Sequence, residues 1–102
     1  MTKEILTAAK IPARAGRFPD PPAVHAVYFD SVETDGPDGY YRIFYHDSMV
    51  ELYAPTSDPV EAAALEKELD ARGIPYTTQG WYWIQAIQRY QNIYEFSYIV
   101  KT

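Results

Sequence analysis

From Ala23 to Glu33 (AVHAVYFDSVE) the chain runs through β-branched and aromatic residues. It meets a dense turn signal at Thr34-Asp35-Gly36-Pro37-Asp38-Gly39, then resumes the same character from Tyr40 to His46 (YYRIFYH). This pattern predicts a β-hairpin. Asp47-Ser48 reads as a second break and Met49 to Ala54 as a third strand, so a three-stranded meander is expected over residues 23–54. If Glu33 pairs with Tyr40, then Phe29 faces Phe44, Ser31 faces Arg42, Val27 faces His46 and His25 faces Ser48. Both histidines then share one face. The other face, carrying Val24, Ala26, Tyr28, Val32, Tyr41, Ile43, Tyr45 and Met49, is apolar enough to lie under helices, with Asp30 as its exception, and a one-residue slip would separate the histidines.

Pro55 stops the third strand, and Asp58-Pro59-Val60-Glu61 reads as a helix start with Asp58 as N-cap, Pro59 at the first helical position and Glu61 reaching back. The helix is expected to run to about Arg72. Ala62, Leu65 and Leu69 give it a narrow apolar stripe, Glu68 and Arg72 form an i,i+4 pair, and Gly73 supplies a left-handed stop. Glu66, Glu68 and Asp70 read as its solvated side. Ile74 to Thr78 suits a short edge strand. Trp81 to Gln91 fits a second helix, with Trp83, Ile84, Ile87 and Tyr90 on one face and Gln85, Gln88, Arg89 and Asn92 opposite; a strand over Trp81–Ala86 is the alternative. Tyr94 to Val100 (YEFSYIV) alternates as a final strand. The order β-β-β-α-β-α-β predicts an α+β fold, a mostly antiparallel sheet of four to five strands with two helices on one face.

Before this body, residues 1–22 contain Pro12, Pro19, Pro21 and Pro22 with Gly16 between two arginines, which predicts a Pro-rich arm; residues 23–102 are expected to form a single domain. Charge follows the same division. The first 17 residues carry Lys3, Lys10, Arg14 and Arg17 against Glu4, net +3, which leaves −8 of the total −5 on the remainder. An acidic body repels phosphate backbones and disfavours duplex nucleic acid as a partner. With no cysteine, disulfides, thiolate chemistry and Cys-based metal sites are excluded. The N-terminus lacks a signal-like apolar run and no stretch approaches a membrane span, so a cytoplasmic location is expected.

The candidate chemistry is sparse. His25, Arg42 and His46, brought to one face by the expected register, form a candidate ligand-binding set for acid–base work or anion binding. Two histidines without a third ligand leave zinc short of its shell, so no metal and no cofactor is expected. Trp81 and Tyr82, followed by Gln85, form the candidate interface: Trp83 is expected in the core, and bulky neighbours on a helix cannot all point inward. The ten tyrosines offer stacking faces, yet Arg42, Lys67, Arg72, Arg89 and Lys101 are too scattered for a nucleic-acid groove. No phosphate-binding glycine loop, zinc-protease helix or serine elbow is present, so catalysis finds no support and a non-enzyme is expected. The resulting expectation is a small intracellular accessory protein that binds a protein partner or itself through exposed aromatics. A small-molecule binder or minor enzyme and an acidic nucleic-acid mimic stand as alternatives.

Overall fold

A computed structural model describes residues 1–35 and 43–101. Its elements in chain order are α1 (Thr2–Ala8), β1 (Ala13–Ala15), β2 (His25–Asp35), β3 (Ile43–Ala54), α2 (Val60–Ala71), β4 (Tyr76–Thr78), β5 (Tyr82–Ile84) and β6 (Arg89–Lys101). The strands form one six-stranded sheet in the order β1-β2-β3-β6-β4, with β5 also pairing β6. All pairings are antiparallel except β1 with β2, which is parallel. The α+β class, a sheet of about the expected size and two helices are therefore present. The sheet is mixed, a single parallel pair being added to an otherwise antiparallel ladder, and the element order is α-β-β-β-α-β-β-β instead of the expected β-β-β-α-β-α-β.

The core lies on the even-numbered face of the long strands. Ala26, Val50, Leu52, Tyr94, Phe96 and Tyr98 pack there with Ala62, Leu65 and Leu69 of α2 and Ile5 and Leu6 of α1. The apolar stripe of α2 is thus buried as its spacing predicts, the Glu68–Arg72 ion pair forms at 2.5 Å, and Gly73 takes the left-handed φ of 67° that ends the helix. Its N-terminus differs. Asp58 itself has φ 53°, Pro59 is the cap, and no side chain hydrogen-bonds the first turn. Glu66 also differs from a solvated residue: it accepts hydrogen bonds from the buried Tyr94 hydroxyl at 2.8 Å and from Tyr76 at 3.3 Å, tying α2 to β6 and β4.

Residues 1–22, expected as an arm, supply both a helix and a strand. Thr2, Ile5, Leu6 and Ala9 are buried at i, i+3, i+4 and i+7, the spacing of one helix face. β1 follows directly, and the Ala26 amide donates to the Pro12 carbonyl and the Gly16 amide to the Tyr28 carbonyl. Beyond it, Pro19, Pro21 and Pro22 form a strap leading into β2.

The hairpin and the later hydrophobic run also depart from expectation. The Asp47-Ser48 break does not occur: β3 is one 12-residue strand, and β6 rather than a consecutive third strand lies beside it. Its register with β2 pairs Glu33 with Tyr45, Val27 with Glu51 and His25 with Tyr53. That is five residues from the expected pairing, an odd shift that exchanges the faces of β3 relative to β2. The turn at 36–39 and Tyr40, Tyr41 and Arg42 lie outside the described residues. Trp81 to Gln91 is a hairpin rather than a helix: β5 and the start of β6 pair Trp83 with Tyr90 around a turn in which Gln88 has φ 52°.

Candidate functional site: an uncovered sheet face

Because side chains alternate across a strand, burying the even-numbered residues leaves the odd-numbered face without a helical layer. That face carries Phe29 from β2, Tyr45 and Met49 from β3, and Ile93 and Ile99 from β6, in the registers Phe29–Met49, Met49–Glu95 and Tyr45–Ile99. Phe29 is 41% exposed and Ile99 57%. A hollow of about 1060 Å³ opens over it, lined by Phe29, Ser31, Asp47, Met49, Glu95 and Ser97. Beneath it runs the backbone of the row Asp30–Ser48–Phe96–Tyr76, paired straight across β2, β3, β6 and β4, whose side chains turn to the even-numbered face.

Its charge is negative. Glu33, Asp47, Glu51 and Glu95 all belong to the odd-numbered face, and each pairs across strands with an uncharged residue: Tyr45, Ser97, Ile93 and Met49 respectively. Asp47 accepts a hydrogen bond from Ser97 at 2.5 Å. Arg14, Arg89 and Lys101 stand at the margins. Apolar and anionic positions are thus interspersed rather than sorted into separate patches.

The β5–β6 hairpin extends this surface. The Tyr82 hydroxyl donates to Gln91 Oε1, Gln91 Nε2 donates to the Tyr53 hydroxyl at 2.7 Å, and Tyr53 donates to Glu51 at 3.2 Å. Burial, opposed by the Gln91 bond and reinforced by Glu51, raises the Tyr53 pKa above its ordinary value. Of the expected interface residues, Tyr82 is 45% exposed, while Trp81 is half-buried against the core. Gln85 accepts the Trp83 indole N–H at 2.9 Å. Trp83, expected in the core, is 44% exposed and meets Tyr90 edge-on. A hairpin turns alternate side chains to opposite faces, so the residue that a helix would have buried is presented to solvent.

His25 and His46 do not share a face. His25 lies on the odd-numbered face, stacked on Tyr53 with ring centroids 4.9 Å apart and met edge-on by Phe18. Its Nδ1–H donates to the Pro22 carbonyl at 2.8 Å. Burial lowers its pKa, the Pro22 bond opposes that shift, and the Arg89 charge adds to it. His46 lies on the even-numbered face, stacked on Tyr98 at 4.6 Å, with Nδ1–H donating to Asp30 Oδ2 at 2.9 Å. The other Asp30 oxygen accepts from Ser48 at 2.8 Å. Because that bond uses the Ser48 proton, Thr2 donates to Ser48 at 2.7 Å and Tyr98 to Thr2 at 3.3 Å. The result is a polar chain sealing the start of α1 against the sheet. Arg42, the third member of the expected set, lies outside the described residues.

Sequence reading missed Asp30 as the partner of His46. Asp30 stood out as a charge on an otherwise apolar face, and the two come together only in the observed register, two residues off direct opposition. Among the described residues no three His, Asp or Glu side chains cluster as a metal site would need, and no helix is long and apolar enough to cross a membrane. No protein-family model matches the chain and no curated protein is significantly similar to it.

Proposed function

We propose that this protein is an interaction module whose uncovered sheet face seats a segment of a protein partner carrying lysine or arginine between apolar residues. The observation that carries this reading is the pairing pattern of the odd-numbered face, where Phe29, Tyr45, Met49, Ile93 and Ile99 alternate with Glu33, Asp47, Glu51 and Glu95. Apolar side chains supply the burial that drives association, and carboxylates among them select a cationic partner and steer its approach. Tyr82 on the adjoining hairpin, paired with Gln91 and so on the same side, adds a ring that buries a large area at small conformational cost. Self-association through the same face is the lesser form of this reading, since an isologous contact would set these carboxylates against one another. Mimicry of nucleic acid is disfavoured because apolar residues interrupt the carboxylates.

The test compares proteins retained from native lysate by the wild type and by Met49→Lys and Glu51→Lys variants, with sedimentation to follow self-association. A partner held by the wild type, released by salt and lost with either variant supports the reading. Identical retention by all three proteins would refute it. A second reading, a small-molecule site at His46, draws on one observation: Asp30 fixes the ring so that in the neutral form the lone pair is on Nε2. His46 also lines a hollow of about 870 Å³ with Tyr98 and Arg72. Loss of binding to any captured small molecule on His46→Gln, with the protein-partner interaction intact, would move the function there.

A further inference from the structure

A smaller cavity, of about 230 Å³, lies at the other end of the odd-numbered face, between the proline strap and the β5–β6 hairpin. Phe18, Pro21, Pro22, His25, Tyr53 and Arg89 line it, with Val27 and Ile87 closing its apolar wall. Although the protein is strongly acidic, the described lining contains no carboxylate, and Arg89 is its only full charge. The Arg89 hydrogen bonds found among the described residues go to the main-chain carbonyls of Ala23 and Gln88 at 3.2 and 2.9 Å, so they orient the guanidinium without neutralising it. Further positive charge stands close by: Arg14 lies over the Phe18 ring, 5.4 Å from its centroid, and Arg17 precedes Phe18 in the strap. Asp20 in the strap and Glu51, bonded to Tyr53, are the nearby carboxylates by sequence and contact, and neither is in the lining.

The polar lining is fixed as well as charged. His25 donates from Nδ1 to Pro22, so the neutral ring carries its lone pair on Nε2 and can accept one hydrogen bond. Its stacking on Tyr53 and edge contact with Phe18 hold the ring in place. Three prolines in the strap restrict its backbone before any ligand arrives, which lowers the ordering cost of binding. An apolar cavity of about 150 Å³ accommodates one benzene ring, and drug-sized molecules occupy roughly 300–1,000 Å³. The available space therefore corresponds to a single ring with one small polar group.

We propose that this cavity binds a small aryl carboxylate, with the carboxylate on Arg89, the ring against Phe18, Pro21, Pro22 and Ile87, and any ring hydroxyl or N–H donating to His25. The cavity borders the protein-docking face at His25, Val27 and Tyr53, but its ligand is recognised by Arg89 and the strap rather than by the carboxylates of that face. Sodium benzoate is the probe and benzamide its neutral counterpart, followed by protein NMR on the full chain and by calorimetry. Benzoate should shift the His25 and Tyr53 resonances and bind roughly ten- to a hundredfold more tightly than benzamide, the range expected when a charge-assisted bond replaces a neutral one. Arg89→Gln should remove that preference while leaving weak benzamide binding in place. Ile87→Trp, at an exposed hairpin-tip position, should block both probes by filling the cavity without touching Arg89. Equal affinity for the two probes, shifts confined to another surface, unchanged selectivity in Arg89→Gln, or no benzoate binding up to roughly 10 mM would each overturn the proposal.

Discussion

Ile5→Ala separates an ornamental N-terminus from one that helps form the core. Ile5 is fully buried and belongs to the same cluster as Leu65, Leu69 and Tyr98. Removing its side chain beyond Cβ forfeits the transfer energy of the lost methylene and methyl groups and leaves a cavity, which together cost about 2–5 kcal/mol at such sites. Against a total stability on the order of 5–15 kcal/mol for a domain, that is a large fraction. With a urea dependence of roughly 1–3 kcal/mol/M for a small protein, the unfolding midpoint should fall by about 0.7 M at the least and up to about 5 M. The thermal midpoint should drop by ~10 °C or more, at about 4–8 °C per kcal/mol for a chain of this size. Val60→Ala is the control, because Val60 is 82% exposed and its change should stay within about 0.5 kcal/mol. Urea titrations followed by far-ultraviolet circular dichroism read both. Equal midpoints for wild type and Ile5→Ala would mean that α1 is detached in solution, and the account of the even-numbered face would fail with it.

Two further outcomes follow from the titratable groups. Tyr94→Phe removes the hydroxyl that donates to Glu66 from full burial, so denaturation should show a loss of about 1.5–3 kcal/mol, as for a bond to a charged acceptor; a neutral effect would mean Glu66 does not anchor α2. Burial and Glu66 together hold the Tyr94 pKa far above its ordinary value, so the folded state keeps the proton that the unfolded state releases. Stability from this group is complete below about pH 10 and is lost as pH rises above it, and Tyr94 phenolate absorbance should appear only with unfolding. His25 runs the other way: burial lowers its folded pKa, so its contribution is present above about pH 6.5 and declines as pH falls toward the folded value. An NMR titration placing His25 at or above 6.5 would contradict that environment.

Some of this architecture was legible because one local rule had no competitor. The Ala62, Leu65, Leu69 stripe, closed by the left-handed Gly73, specifies α2 by periodicity and backbone sterics alone, and each of the three apolar residues is fully buried. Tyr94, Phe96 and Tyr98 alternate with Glu95, Ser97 and Ile99, and that alternation fixes which side of β6 faces the core. The acidic body and the absence of cysteine restricted the chemistry through composition, which no fold can alter.

Elsewhere two arrangements satisfied the same local pattern, and long-range contacts decided between them. Trp83, Ile84, Ile87 and Tyr90 fit a helical face, yet Trp83 and Ile84 lie in β5 and Tyr90 in β6, with Ile87 in the turn between, where Asn92 accepts a bond from the Gly80 amide and the ladder joins a strand already in place. In β2 and β3 both parities are rich in apolar residues, Val27 with Phe29 on one face and Ala26 with Tyr28 on the other, so hydrophobicity alone gave no preferred register. Packing of α1 and α2 selected the even-numbered set, which put His25 and His46 on opposite faces and joined His46 to Asp30. The N-terminal helix was too short to stand on its own pattern, since helices of this length gain their stability from tertiary burial. Local pattern is enough for one helix, the strand-forming segments and the charge of the surface, whereas strand pairing follows from long-range packing, because a strand's register is chosen by what covers its two faces.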